Sequence, residues 1–412
     1  MTTVDLKALP FTDLTERVMF EDPFPRYAQL RAEAPVSRAR YREMRTMEVY
    51  CLTRHEDVQL LHTDPRFSSD PASQGRAQGY SKLLPKSFRL LTDSMVYKDD
   101  PHHKRLRGLV NKAFTPKRVA QMADSVQRSA EDLVNGLSAK TTVEFVSDFA
   151  VPLPLTVIAD MLGVPPKHRD EFHHAITAMT GASTSGSARD IPKALANGRR
   201  IRLILSRLAA QRRAVPEDDL ISALVAANDD GEHLNENEVV SMLFLLLFAG
   251  HDTTSNLLSS SMMAFIDHPE QVERLRADPA LIDTAVEELL RFTTPVPCGT
   301  TRTTLDDVEV AGITIPKRSS VIGMIISANR DEAAFEEPEV LDLGRHPNRH
   351  LAFAFGAHFC LGNQLARLEA RTALLALIQR FDNIELAAAR DTLRYKPTIS
   401  LRGLRQLPLT LR

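Results

Sequence analysis

The sequence of 412 residues has no excess of charge of either sign: 51 Lys and Arg stand against 53 Asp and Glu, a net charge of -2. That balance gives no electrostatic footing for a polyanion, so nucleic acid is not an expected partner. Long hydrophobic runs are missing too. The longest strongly apolar stretch, MLFLLLFAG at 242–250, falls far short of the ~20 residues that a spanning helix needs. The N-terminal MTTVDLKALPFTDLTERVMF lacks the basic-then-apolar order of a secretory signal. A soluble, cytoplasmic protein without membrane association is expected. Cysteine is scarce: Cys51, Cys298 and Cys360 are odd in number and far apart, which argues against a disulfide framework and a C-x-x-C zinc site. No repeat, low-complexity tract or composition break divides the chain, so one domain over residues 1–412 is expected.

Periodicity predicts a helix at about 22–34, a strand pair at 37–41 and 47–53, and a helix from His55. Residues 66–96 keep no period and are rich in Ser, Gly, Pro and Gln, which marks a long loop. From 101 to about 278 the pattern is helical, broken at 114–116, at 164–167 and by the Gly/Ser-rich TGASTSGSARDIP at 180–192, a candidate hinge. A helix at 281–292 precedes a β-like region at 300–326. Residues 335–359 are irregular, 361–381 helical, and the tail alternates as short strands. The expected fold is mainly α with a minor β region.

Four stretches carry chemistry. In HLAFAFGAHFCLGNQLARLEA, residues 350–370, the residues after Cys360 repeat at helical spacing, so the thiol is expected at a helix N-terminus, where unpaired N–H groups favour a thiolate. Gly356 and Gly362 flank it and allow backbone to approach a flat ligand. Haem is one reading, and a buried free cysteine is the other. In SMLFLLLFAGHDTTSN, residues 241–256, Leu245, Phe248, Ala249, Asp252 and Thr253 share one helical face that turns from apolar to polar. Gly250 weakens the helix and Thr253 can compete for the Ala249 carbonyl, so local opening to water or a diatomic ligand stands beside an amphipathic helix ending at a surface cap. In AVEELLRF, Glu288 and Arg291 are placed to pair at i, i+3, as many surface residues are. In DDPHHKRLRGLVNKAF, His103 and Arg107 share a face of a helix begun by Pro101, ready for an acidic ligand or for solvent.

Taken in order, these stretches resemble the cytochrome P450 family of haem-thiolate monooxygenases, from near residue 20 to the end. Phe353, Gly356, Cys360 and Gly362 are similar to the family's F-x-x-G-x-x-x-C-x-G loop, Ala249 to Thr254 to its oxygen-activation motif, and Glu288 to Arg291 to its E-x-x-R, with Arg345 as the third member. One position departs. Ala354 stands where the family often has glycine, and its methyl restricts positive φ, so the loop takes another turn or carries strain.

The resemblance implies the triangular P450 fold, with haem b (iron protoporphyrin IX) between the long central helix and the cysteine loop. It implies Cys360 as the iron ligand and His103, Arg107, Arg302 and His358 as propionate partners, two carboxylates needing cations. Phe353 would pack near the sulfur, with Ala249 and Gly362 also beside the cofactor. Asp252 and Thr253 would relay protons. Leu245, Phe248, Ala249 and Cys298, with parts of the 66–96 loop, would surround a small lipophilic substrate; Cys298 reads equally as an inert core residue. The implied reaction is hydroxylation or epoxidation with O2, with electrons from NAD(P)H through a ferredoxin and its reductase, by a monomer. Natural-product tailoring suits the soluble bacterial type. A peroxide-driven haem-thiolate enzyme and a haem-binding sensor or carrier are the rival readings.

Overall fold

A computed structural model describes residues 6–41, 48–74, 90, 93–165, 169, 175–176, 191–229 and 231–412. Most of the loop expected at 66–96 and the hinge expected at 180–192 lie outside these residues.

The centre of the molecule is a helix of 32 residues, Glu236–Asp267, about 48 Å long at 1.5 Å per residue. It begins where the sequence supplies a reciprocal cap: the Asn235 side chain accepts from the Glu238 N–H, and the Glu238 carboxylate accepts from the Asn235 N–H. Its middle is apolar on most sides because helices cover it from several directions, among them Pro152–Met161, Ile191–Ala214, Ile282–Thr293 and Asn363–Arg380. The helix stays closed through Gly250, so the local opening that Gly250 suggested is not seen. Packing explains the glycine instead: a Cβ there would lie 2.7 Å from Ile158 Cδ1.

The expected hairpin forms, with Val36–Arg40 antiparallel to Val49–Leu52. It belongs to a six-stranded sheet in the order Phe11–Asp13, Val36–Arg40, Val49–Leu52, Ser320–Gly323, Arg302–Thr304, Phe67–Ser68. The run from 101 to 278 is less uniformly helical than its periodicity implies. A strand at Thr142–Glu144 and a small hairpin of Asn228–Asp229 with Glu232–His233 interrupt it. Thr142–Glu144 is too short to show a period of two, and it exists because Pro408–Leu411, far along the chain, pairs with it and with Ile384–Leu386. Among the described residues, no helix is long and apolar enough to cross a membrane.

Candidate active site

The cysteine loop is fixed by its own backbone. The Cys360 N–H donates to the Phe353 carbonyl at 2.9 Å, and the Asn363 side chain donates to the Cys360 carbonyl at 2.7 Å. The helix itself starts at Asn363, after Gly362, so the thiol stands just before the first turn rather than within it. That weakens the expected stabilisation of a thiolate. Burial pushes the thiol up, and the Gly362 N–H with the Arg107 and Arg367 guanidinia offsets this only in part; a metal cation would select the deprotonated form. Ala354 takes the strained option, with φ of 59°. Gly356 is required twice over, because its φ is 71° and a Cβ there would lie 2.6 Å from the His62 carbonyl oxygen.

One buried and one half-buried ion network hold this loop. Glu288 and Arg291, both 0% exposed, form a bidentate pair at 2.7 and 2.8 Å. Arg345 Nε joins Glu288 at 3.1 Å, as do the Asn348 amide at 3.1 Å and the Asp342 N–H at 3.0 Å. Arg291 then donates to the carbonyls of Asn329, Pro338 and Val340, while Arg345 donates to those of Glu336, Glu337 and Val340. The irregular segment before the cysteine loop is thus tied down by carbonyls that would otherwise be orphaned. The second network was missed in the sequence. Glu287, one residue earlier, takes both arms of Arg367 at 2.6 and 2.8 Å and His350 at 3.0 Å. Burial works to raise its carboxyl, but hydrogen bonds from Arg367 and His350 prevail and bring it down to about 2. The same guanidinium lies 4.5 Å from the centre of the buried Phe353 ring and donates to Asn363 at 2.6 Å.

Four of the sequence-predicted residues meet along one edge. His103 and His358 stack with ring centres 4.2 Å apart, His358 Nε2 lies 3.0 Å from Ser69 Oγ, and Arg302 donates to the same hydroxyl. Arg107, on the His103 helix, is half-buried and close enough to Cys360 for the thiolate to act on it. Burial holds Arg302 down to about 10, against the pull of Asp99. His358 falls to about 3, through burial first and then through Arg302, His103, His62 and Arg107. Buried polar atoms are left over: His103 Nε2 and Arg302 Nε find no hydrogen-bond partner among the described residues. A bound dianion would relieve both the mutual repulsion and the unmet donors.

On the long helix, Thr253 Oγ1 donates to the Ala249 carbonyl at 2.8 Å, as its spacing predicts. Leu245 is buried, Phe248 and Thr253 are half-buried, and Ala249 is exposed, so mid-helix one face is left uncovered by the described residues. Asp252 is buried between His251 Nε2 at 3.7 Å and Lys396 Nζ at 3.8 Å. Lys396 also donates to Asn256 at 3.0 Å. It arrives on a C-terminal hairpin that sits flush on the helix because Gly403 has no side chain to meet Asn256. Sequence reasoning missed Lys396, and it missed Glu369, a fully buried carboxyl that burial raises to about 8 despite a hydrogen bond with Thr254. One expected pocket residue falls elsewhere. Cys298 is buried in the core beside Tyr27 and Met324, with its Sγ donating to the Ile399 carbonyl at 3.3 Å. Its bridge pairing with Met324 ties it to the end of the interior strand Ser320–Gly323, in line with its core reading.

A thiol on a rigid loop, two guanidinia and two buried histidines with polar atoms unmet among the described residues fit a flat, metal-bearing dicarboxylate. Among the described residues, no cluster of three or more His, Cys, Asp and Glu could hold a bare metal ion. Such a site is that of a haem-thiolate protein. The chain belongs to the cytochrome P450 family, whose model, "Cytochrome P450", matches residues 196–401. It is 38% identical over 392 residues to the polyketide biosynthesis cytochrome P450 PksS of Bacillus subtilis, covering 95% of this chain and 96% of the relative. It is 36% identical to the cytochrome P450 monooxygenase PikC of Streptomyces venezuelae, over 95% and 91% of the two chains. The solved structure of PksS superposes with a TM-score of 0.88, covering 96% of this chain and 98% of that one. The protein is a bacterial-type P450 monooxygenase with the P450 fold.

Proposed function

We propose that this P450 inserts one oxygen atom from O2 into a small lipophilic natural product of polyketide or related type, by hydroxylation or epoxidation. In this reading it works as a cytoplasmic, single-domain monomer. The electrons come from NAD(P)H through a ferredoxin and its reductase. The names of PksS and PikC support the class of reaction and, for PksS, the polyketide setting. The observation that carries the site assignment is the edge of His103, Arg107, Arg302 and His358 beside Cys360, with His103 Nε2 and Arg302 Nε unpartnered among the described residues.

Cys360 would be the sole protein ligand to the iron of haem b, and Arg107 and Arg302 as cations, with His103 and His358 as hydrogen-bonding partners, would hold its propionates. When bound, the haem supplies the reduction of O2 and the transfer of an oxygen atom, with thiolate ligation favouring O–O cleavage. The chain's own residues handle protons and water. Leu245, Phe248 and Ala249 present an apolar face that keeps water from the reacting atoms. Thr253 Oγ1, parked on the Ala249 carbonyl at 2.8 Å, can turn to donate into the site and be replenished from Asp252 one residue back. Asp252 is oriented for this by Lys396 and His251. Glu369, raised to about 8 by burial, holds a proton at neutral pH against Thr254 on the neighbouring side of the helix.

The test has two parts. Wild type, reduced and exposed to carbon monoxide, should show the strongly red-shifted Soret band of thiolate ligation, and Cys360→Ser should lose it; retention of the band in the variant refutes the ligand assignment. With surrogate ferredoxin and reductase, NAD(P)H should drive oxidation of compounds that shift the haem spectrum to high spin. Spectral binding without any turnover would point to a sensor or carrier.

A further inference from the structure

His62 lies in VQLLHTDPRF, in the last turn of the helix His55–Thr63. Val58 and Leu61, on the same helix, enter the core, and His62 is itself only 8% exposed. An imidazole is an expensive choice at such a position. Its Nδ1 and Nε2 are both buried, and neither has a hydrogen-bond partner among the described residues. Burial first, and then the Arg302 guanidinium, bring it down to about 4, so the ring is neutral near pH 7 with one nitrogen a donor and the other an acceptor. A leucine would fill the same space with nothing left unmet.

The surroundings show which way the ring is turned. Cε1 lies 3.2 Å and Nε2 3.5 Å from where a Cβ on Gly299 would stand, and the segment from Gly299 leads directly to Arg302. The His62 carbonyl abuts Gly356 in the cysteine loop. The ring acts electrostatically on His358 and is acted on by Arg302, and these are two of the four groups assigned above to the propionates. His62 is therefore wedged behind the edge formed by Arg302 and His358, where Arg302 Nε also lacks a hydrogen-bond partner among the described residues. Glycine at 299 and 356 lets two chain segments approach it closely.

We propose that His62 is a fifth polar member of the propionate edge, a positioning residue whose ring joins the hydrogen-bond network of the haem carboxylates and meets its partners only when haem is bound. This rests on the haem-thiolate reading. It goes beyond that reading because nothing in the motif pattern marks position 62.

Methionine and glutamine are similar in size and differ in polarity, so His62→Met and His62→Gln separate hydrogen bonding from packing. In the holoenzyme, transfer of haem to excess apomyoglobin should be about tenfold faster for His62→Met than for wild type, the ratio that ~1.4 kcal/mol represents. Its iron reduction potential should become more negative, because a carboxylate that loses a donor stabilises the oxidised iron. His62→Gln should stay near wild type in both. Equal defects in the two variants would reduce His62 to a packing residue and overturn the proposal, as would wild-type transfer and potential in His62→Met. Should His62→Met fail to load haem, transfer from His62→Gln at the wild-type rate supports the proposal and a rate tenfold higher overturns it. A wild-type protein without the red-shifted carbon monoxide band would instead refute the haem-thiolate reading itself, so the two failures are distinct.

Discussion

Replacing Glu288 by alanine should unfold much of the protein while touching nothing that reacts. The Glu288 carboxylate, with no exposure, accepts five hydrogen bonds: two from Arg291, and one each from Arg345, Asn348 and the Asp342 backbone. Alanine would leave the fully buried Arg291 guanidinium with its three backbone carbonyls and no counter-charge. Breaking a buried pair from one side costs about 3–5 kcal/mol, against a total stability of about 5–15 kcal/mol for a folded protein. The loss would be local as well as global. The segment pinned by Arg291 and Arg345 leads straight into the cysteine loop, so haem retention should fall before secondary structure does. The assay is haem per polypeptide in purified protein, with urea unfolding followed by circular dichroism. Glu288→Gln keeps the volume and loses the charge, and it should share most of the defect. A fully haem-loaded Glu288→Gln with a wild-type unfolding midpoint and a defect only in turnover would refute the reasoning.

Thr253→Ala should leave the substrate-induced spectral shift and NAD(P)H consumption in place while product per NAD(P)H falls and hydrogen peroxide rises; Thr254→Ala is the control, and unchanged coupling would remove Thr253 from the relay. Ala354→Gly should stabilise the protein by up to about 1 kcal/mol, since a left-handed alanine costs about 1–2 kcal/mol and glycine returns part of that as chain entropy; a lower urea midpoint would mean that the methyl group packs usefully. Glu369 is raised to about 8 when folded, so the unfolded chain loses this proton first as pH rises, and the group's contribution is present below about pH 4.5 and lost on rising through 8. Wild type should therefore weaken relative to Glu369→Gln on the order of 1 kcal/mol per pH unit between pH 5 and 8, and a pH-independent difference between the two would show that Glu369 ionises normally.

The sequence made legible whatever is local. Cys360, its flanking glycines and the following helix lie within one short stretch, and the Glu288–Arg291 pair lies within one helical turn. The long helix announces itself by its period. Long-range partners were hidden. Glu287 and Arg367 are 80 residues apart, and nothing distinguishes Glu287 from its neighbour except the structure. The strand Thr142–Glu144 needs the far C-terminal strand to exist. Glu369 did leave a trace, because Leu365, Glu369 and Ala373 repeat every fourth residue along a buried stripe, and an acid in such a stripe is a signal that could have been taken up. For Cys298 the sequence left a pocket and a core reading open, and its bridge to Met324 places it in the core.

The hairpin that lays Lys396 and Gly403 on the long helix has a consequence for biosynthesis. A ribosome delivers roughly 5–20 residues each second, so the cations at 103 and 107 emerge on the order of 15–60 s before Gly403 reaches Asn256. Cys360 is itself translated before the helix Asn363–Arg380 and the hairpin of Lys396 and Gly403 that complete its surroundings. The parts of the cofactor site are first present together only once Gly403 has been added, so the residues at the front of the site wait for the thiol and the hairpin behind it.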